Sequence, residues 1–214
     1  MKETLPEATV QDILDCAPKL YEWTAMAAVA CGTYMGANNA IAKTEDRSSP
    51  GAHMADEIRN QMIMMAVIRC FAILDRSAKF SFQLVHRFLK HPSNIDALVT
   101  EVTKKPTDGS IPHTESLCRL SVKQFTDIYS TIDFKALSKL QRFRNDAIAH
   151  VSLRDIQRIG LTYDEVIELV KKCCLLSKTL NLAVAGNNAD PLKYFDGAIQ
   201  DAQNFWHYAV EYNW

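Results

Sequence analysis

The sequence predicts an all-α protein, a helical bundle, and three observations predict it. Gly and Pro number only seven each among 214 residues, so turn-forming residues are scarce and long helices follow. Apolar residues recur at spacings of three and four along most of the chain. No stretch alternates with period two and no internal repeat is found, which argues against sheets and repeat arrays. An apolar fraction of 48% and a charged fraction of 23% are ordinary for a globular chain, and the length suits one sizeable core. The expected organisation is a single helical domain over residues 1–214, with roughly seven to nine helices by this pattern.

Residues 1–8 read as a loose tail. Thr9 starts a short helix reaching about Ala17, and Pro18 is expected to interrupt it or to open the next. From Lys19 to Ala42 the chain is rich in Ala and Met, with Leu20, Trp23, Ala27 and Ala30 at helical spacing. Lys43–His53 has the Ser, Pro, Gly and mixed charge of a loop. Met54–Arg76 follows as a helix whose centre, Met62–Ile68, is apolar on all sides and so suits the interior of the bundle.

Ser81–His91 gives another helix, ended by Pro92. Ser93 is the expected N-cap of a short helix to about Thr103, and Lys104–His113 reads as a loop. Thr114 starts a helix to about Ser130, and another is expected from Phe134 to Ala149. Val151–Gly160 reads equally as a helical turn or a linker. Thr162 and Glu165 form a capping-box pair, opening a helix that Gly186 ends near Ala185. Asp190-Pro191 opens a last, aromatic-rich helix from Leu192 to about Tyr212.

Composition narrows the function. A net charge of -1 gives no global basic field, so any nucleic-acid surface is a local patch or arises on assembly. Six cysteines sit mostly in apolar helical surroundings without a C-x-x-C pair, and adjacent Cys173 and Cys174 point to different helix faces. Free thiols, no apolar leader at the N-terminus and no apolar run near ~18 residues lead us to expect a cytoplasmic protein without a membrane span. His53, His86, His91, His113 and His207 show no zinc-enzyme spacing, and no phosphate-binding Gly loop occurs, so no metal or cofactor is expected. The aromatics of the last helix suit burial against the bundle or a partner better than stacking of RNA bases.

One stretch departs from this plain pattern. In Leu140–Val151, Leu140, Phe143, Ala147 and Val151 share one helix face. Measured from Leu140, Arg144 lies about 40° to one side and His150 about 80° to the other. A guanidinium beside an apolar stripe requires compensation, because burying a charge without a partner is costly.

Arg144-Asn145 followed by His150 has the form R-N-x4-H. It resembles the R-x4-6-H signature of the HEPN superfamily, in which the residue after the Arg is often Asn, Asp or His. Arg69–Asp75, R-x5-D at a helix end, is similar to a segment that the abortive-infection, AbiU-type branch pairs with a later R-N-x4-H. The likeness spans about residues 20–185, and the helix from Asp190 on has no counterpart in it. A second R-x5-H, Arg47 to His53, lies in loop composition without the Asn and is taken as chance.

The resemblance implies a HEPN-like bundle with additional N- and C-terminal helices. It also implies a metal-independent RNA endonuclease that works as a homodimer, with both copies of the motif at the interface. A toxin or phage-defence component with an antitoxin partner is the corresponding setting. Arg144, Asn145 and His150 are the implied catalytic residues. The chemistry suits them: RNA carries its own 2′-OH nucleophile, His150 titrates near neutral pH, and Arg144 offers a planar fork to phosphate oxygens. Asn145 is placed to hold the Arg or a phosphate oxygen, and Asp146, four residues before His150, to orient the imidazole.

Plainer readings stand beside these. Arg144 pairs structurally with a carboxylate such as Asp75; His150 is stabilised by a helix end; Asp146 is a surface partner of Arg142. Arg69 and Asp75 are expected to be structural rather than catalytic, since Arg69 lies in an apolar helix and needs a partner. On these readings the chain is a non-catalytic helical module for dimerisation or partner binding.

Overall fold

The computed structural model describes residues 8–44, 48–75, 78–104, 113–134, 137–138 and 162–211. These form an all-α bundle of seven helices, with no strand among the described residues. In chain order they are α1 (Val10–Lys43), α2 (Pro50–Leu74), α3 (Phe82–Leu89), α4 (Pro92–Thr103), α5 (Glu115–Ser130), α6 (Tyr163–Ala185) and α7 (Leu192–Glu211).

α1 is the spine. Its 34 residues span about 50 Å at 1.5 Å per residue. Thr9 starts it as expected: its hydroxyl accepts from the Asp12 amide at 3.2 Å, while the Asp12 carboxylate accepts from the Thr9 amide at 2.8 Å. Pro18 neither ends α1 nor opens a second helix, contrary to the break expected from sequence. Proline removes one backbone donor, and burial of Ile13, Cys16, Ala17 and Leu20 on either side holds the helix through it.

Side-chain pairings give the directions. Asn38 meets Arg59 and Met26 meets Arg69, so α2 runs antiparallel to α1. Tyr34 stacks on Tyr163, and Tyr21 lies near Cys174, so α6 is antiparallel to α1 as well. Gly32 faces Phe195 and Ala198, and Gly36 faces Ile199 and Ala202, so α7 is parallel to α1. The two glycines let these backbones approach: an added Cβ would lie 2.4 Å from the Phe195 and Ile199 carbonyl oxygens respectively. α5 packs along α6, antiparallel to it: the Lys172 ammonium reaches the Thr131 carbonyl, and the His113 ring reaches the Ala183 carbonyl. α3 and α4 pack against the α5 side of the bundle.

The core runs from Ile13 and Leu20 through Val67, Phe82 and Phe125 to Leu176 and Leu180, all essentially sealed from solvent. Trp206 closes a smaller cluster with Ala37, Ala40, Ala55 and Ala202. The last helix divides its aromatics: Phe195 and Trp206 are buried, as expected, whereas Tyr194, Phe205 and Tyr208 are exposed.

Two boundaries correct the sequence reading. Pro50–His53 belong to α2, not to a loop, because Ser49 caps the Ala52 amide at 3.2 Å and Pro50 occupies the first helical turn, where a missing N–H is harmless. α4 begins at Pro92 behind His91, ahead of the Ser93 cap expected from composition, for the same reason.

Candidate functional site

Arg144, Asn145, Asp146 and His150 lie outside the described residues, as does the rest of the expected helix from Phe134 to Ala149 except Phe134, Leu137 and Ser138. The structure therefore defines what flanks the motif. Before it comes the end of α5; after it comes Thr162, whose hydroxyl accepts from the Glu165 amide at 3.2 Å to start α6.

An aromatic stack involves the described residues that precede the motif in the chain. Tyr129, in the last turn of α5, lies 5.4 Å from the Phe134 ring and 6.2 Å from Phe125, which in turn touches Phe82. His86 of α3 lies flat on Tyr129, with ring centroids 3.9 Å apart and planes 20° from parallel. Burial, and then the Lys90 ammonium, lower the His86 pKa. The neutral imidazole is the form this stack favours. Sequence reading set His86 aside among histidines without zinc-enzyme spacing. The signal that places it was present: Phe82, Val85 and Leu89 make the buried face of α3, and His86 is four residues from Phe82.

A second stack stands where the described residues resume after the motif. Tyr163, the first residue of α6, stacks on Tyr34 of α1 at 5.3 Å. Burial, with Tyr163 beside it, pushes the Tyr34 phenol up to about 12. Nearby on the α1–α2 seam, the Arg59 guanidinium donates to the Asn38 side-chain oxygen at 2.9 Å and is ion-paired with Asp56.

The Arg69–Asp75 segment is the end of α2, with Asp75 as its C-cap residue. Arg69 donates from Nη1 to the Met26 carbonyl at 2.9 Å, tying α2 to α1. This is the structural role expected for Arg69, with a backbone carbonyl taking part of the guanidinium's hydrogen-bonding capacity. An ion pair between Asp75 and Arg144 involves a residue outside the described ones.

The cysteines are ill suited to nucleophilic chemistry. All six are buried. Burial pushes Cys16 and Cys118 up to about 11 and Cys31 up to about 12, so the reactive thiolate is suppressed. Cys70 is raised further by a hydrogen bond with Cys173 and by complete burial. Among the described residues no group of His, Cys, Asp or Glu is arranged to hold a metal ion, and no helix is long and apolar enough to cross a membrane. Compared with known proteins, the chain matches no family model, no curated protein and no solved structure.

Proposed function

We propose that the chain is a metal-independent RNA endonuclease of the HEPN type, acting as a homodimer in a reducing cytoplasm as a toxin or phage-defence component held in check by an antitoxin protein. One observation carries the reading: Arg144-Asn145 and His150 in R-N-x4-H spacing, flanking residues that are apolar at helical spacing in the sequence, in a chain whose described residues form helices and no strand. His150 moves the proton between the 2′-OH and the leaving 5′-oxygen. Arg144 stabilises the charge on the phosphorane, and Asn145 holds the guanidinium or a phosphate oxygen. On one regular helix Arg144 and His150 diverge by about 120°, so a single copy encloses a phosphate poorly and two copies do so better.

The test is cleavage of single-stranded RNA by purified protein in EDTA. The expected product carries a 2′,3′-cyclic phosphate. Arg144→Ala and His150→Ala are each expected to lower the rate by about 100-fold or more with the melting temperature retained. Cleavage that disappears on chelation, or that survives both substitutions, removes the proposal.

A second reading has its own support. Trp23, Met26 and Val29 are exposed along one side of α1, and Met65 is exposed on neighbouring α2. That surface suits a non-catalytic module for dimerisation or partner binding. The module reading expects no cleavage at all and loss of association in Met26→Asp.

A further inference from the structure

A cavity of about 250 Å³ opens at the junction of α1, the end of α2 and the turn before α3. Leu20 and Trp23 of α1, Ile73 of α2 and Phe80 form most of its apolar wall, and Lys19 and Lys79 line it as well. Two aromatic rings therefore face one small space. Trp23 is 44% exposed, unusual for the largest apolar side chain in a chain that buries Trp206. The volume lies just under the ~300 Å³ lower end of common ligand pockets, which suits a ligand of one or two fused rings.

The two lysines give the cavity its charge. Lys19 Nζ lies 3.7 Å from the centroid of the Phe80 ring, and Lys79 Nζ lies 5.7 Å from it. Neither ammonium is ion-paired with a carboxylate among the described residues. Two acids in the first turns of α1 are engaged elsewhere. Asp15 accepts from the Gln11 amide at 2.7 Å. Asp12 is bound to the Thr9 amide and hydroxyl at 2.8 and 2.7 Å, and Lys79 only adds to that hold. An ammonium over a partly buried ring such as Phe80 is held only modestly. Both lysines are thus available to an anion at the mouth, and their departure frees the face of Phe80.

We propose that this cavity binds a small aromatic carboxylate: the ring lies between Trp23 and Phe80, and the carboxylate takes Lys19 and Lys79. None of the lining residues belongs to the 144–150 motif, and the proposal does not depend on the nuclease reading. The assignment to this ligand class rests on the coincidence of three features: two aromatic walls, a volume too small for a peptide, and two cations that form no ion pair among the described residues.

The full chain is titrated calorimetrically with 2-naphthoate and with 2-naphthalenemethanol, its uncharged counterpart. Naphthoate is expected to bind saturably, about tenfold more tightly than the alcohol, and to weaken as salt is added. Lys19→Met and Lys79→Met are each expected to weaken naphthoate by about threefold or more while leaving the alcohol unchanged. Trp23→Ala weakens both ligands, and circular dichroism with thermal melting confirms that each variant is folded. Three results overturn the proposal: no saturable binding of naphthoate up to about 1 mM, equal affinity for acid and alcohol, or lysine variants that bind naphthoate as the parent does.

Discussion

His86 shows how one side chain links packing to pH. Its ring is stacked on Tyr129 and partly removed from water, so its pKa falls below the ordinary 6.5. Between that lowered value and 6.5, the unfolded chain binds a proton that the folded chain refuses. The contribution of the neutral ring is therefore fully present above pH 6.5 and is lost as pH falls through the lowered pKa. Urea midpoints measured from pH 7.5 to 5 are expected to decline, and His86→Phe, which keeps a ring on Tyr129, is expected to flatten that decline. An unchanged slope in His86→Phe assigns the pH dependence to other groups. The reactivity of the thiols follows from the same physics: with Cys31 pushed up to about 12 by burial, negligible thiolate exists at neutral pH.

At the level of the helix, the contact between α1 and α7 is set by the absence of side-chain carbon. Gly32→Ala and Gly36→Ala each place a Cβ 2.4 Å from a backbone oxygen of α7, which cannot rotate away as a flexible side chain would. Each is expected to lower stability by about 1–3 kcal/mol or more, read from chemical denaturation. Gly197→Ala is the matched control on α7 itself. Nothing lies within 4 Å of its added Cβ, so helix propensity alone acts and stability is expected to rise by about 0.5–1 kcal/mol. A loss in all three variants would make the α1–α7 packing account wrong. Several helix starts and stops, by contrast, were readable locally: Thr9, Ser81 and Thr114 at starts, Thr162 with Glu165 three residues on, and Gly186 as a stop, left-handed at φ 63°.

In the whole molecule, α1 is surrounded by α2 and α6 running against it and α7 running with it. The helix beyond residue 190, which had no counterpart in the family likeness, thus packs against the spine of the bundle rather than hanging from it. The dimer in the proposed function makes a prediction at this scale. Light scattering at tens of micromolar is expected to give twice the chain mass of 24.1 kDa, and a monomeric mass throughout would leave the paired motif without its second copy.

The all-α class and the main caps follow from local chemistry, because a capping hydroxyl and its amide lie within one turn of each other and apolar periodicity needs no distant partner. The R-N-x4-H motif is likewise a matter of spacing along the chain. What local chemistry does not carry is distant partnership. Pro18 runs through α1 because the residues around it are buried by other helices, and Arg69 finds the Met26 carbonyl 43 residues away. The division of α7 into buried Phe195 and Trp206 against exposed Phe205 and Tyr208 depends on where Gly32 and Gly36 admit that helix. The cavity of Trp23, Phe80 and two lysines joins three separate elements in the same way. These features arise when helices are docked, since burial and close approach are properties of surfaces brought together and not of the order of residues along one of them.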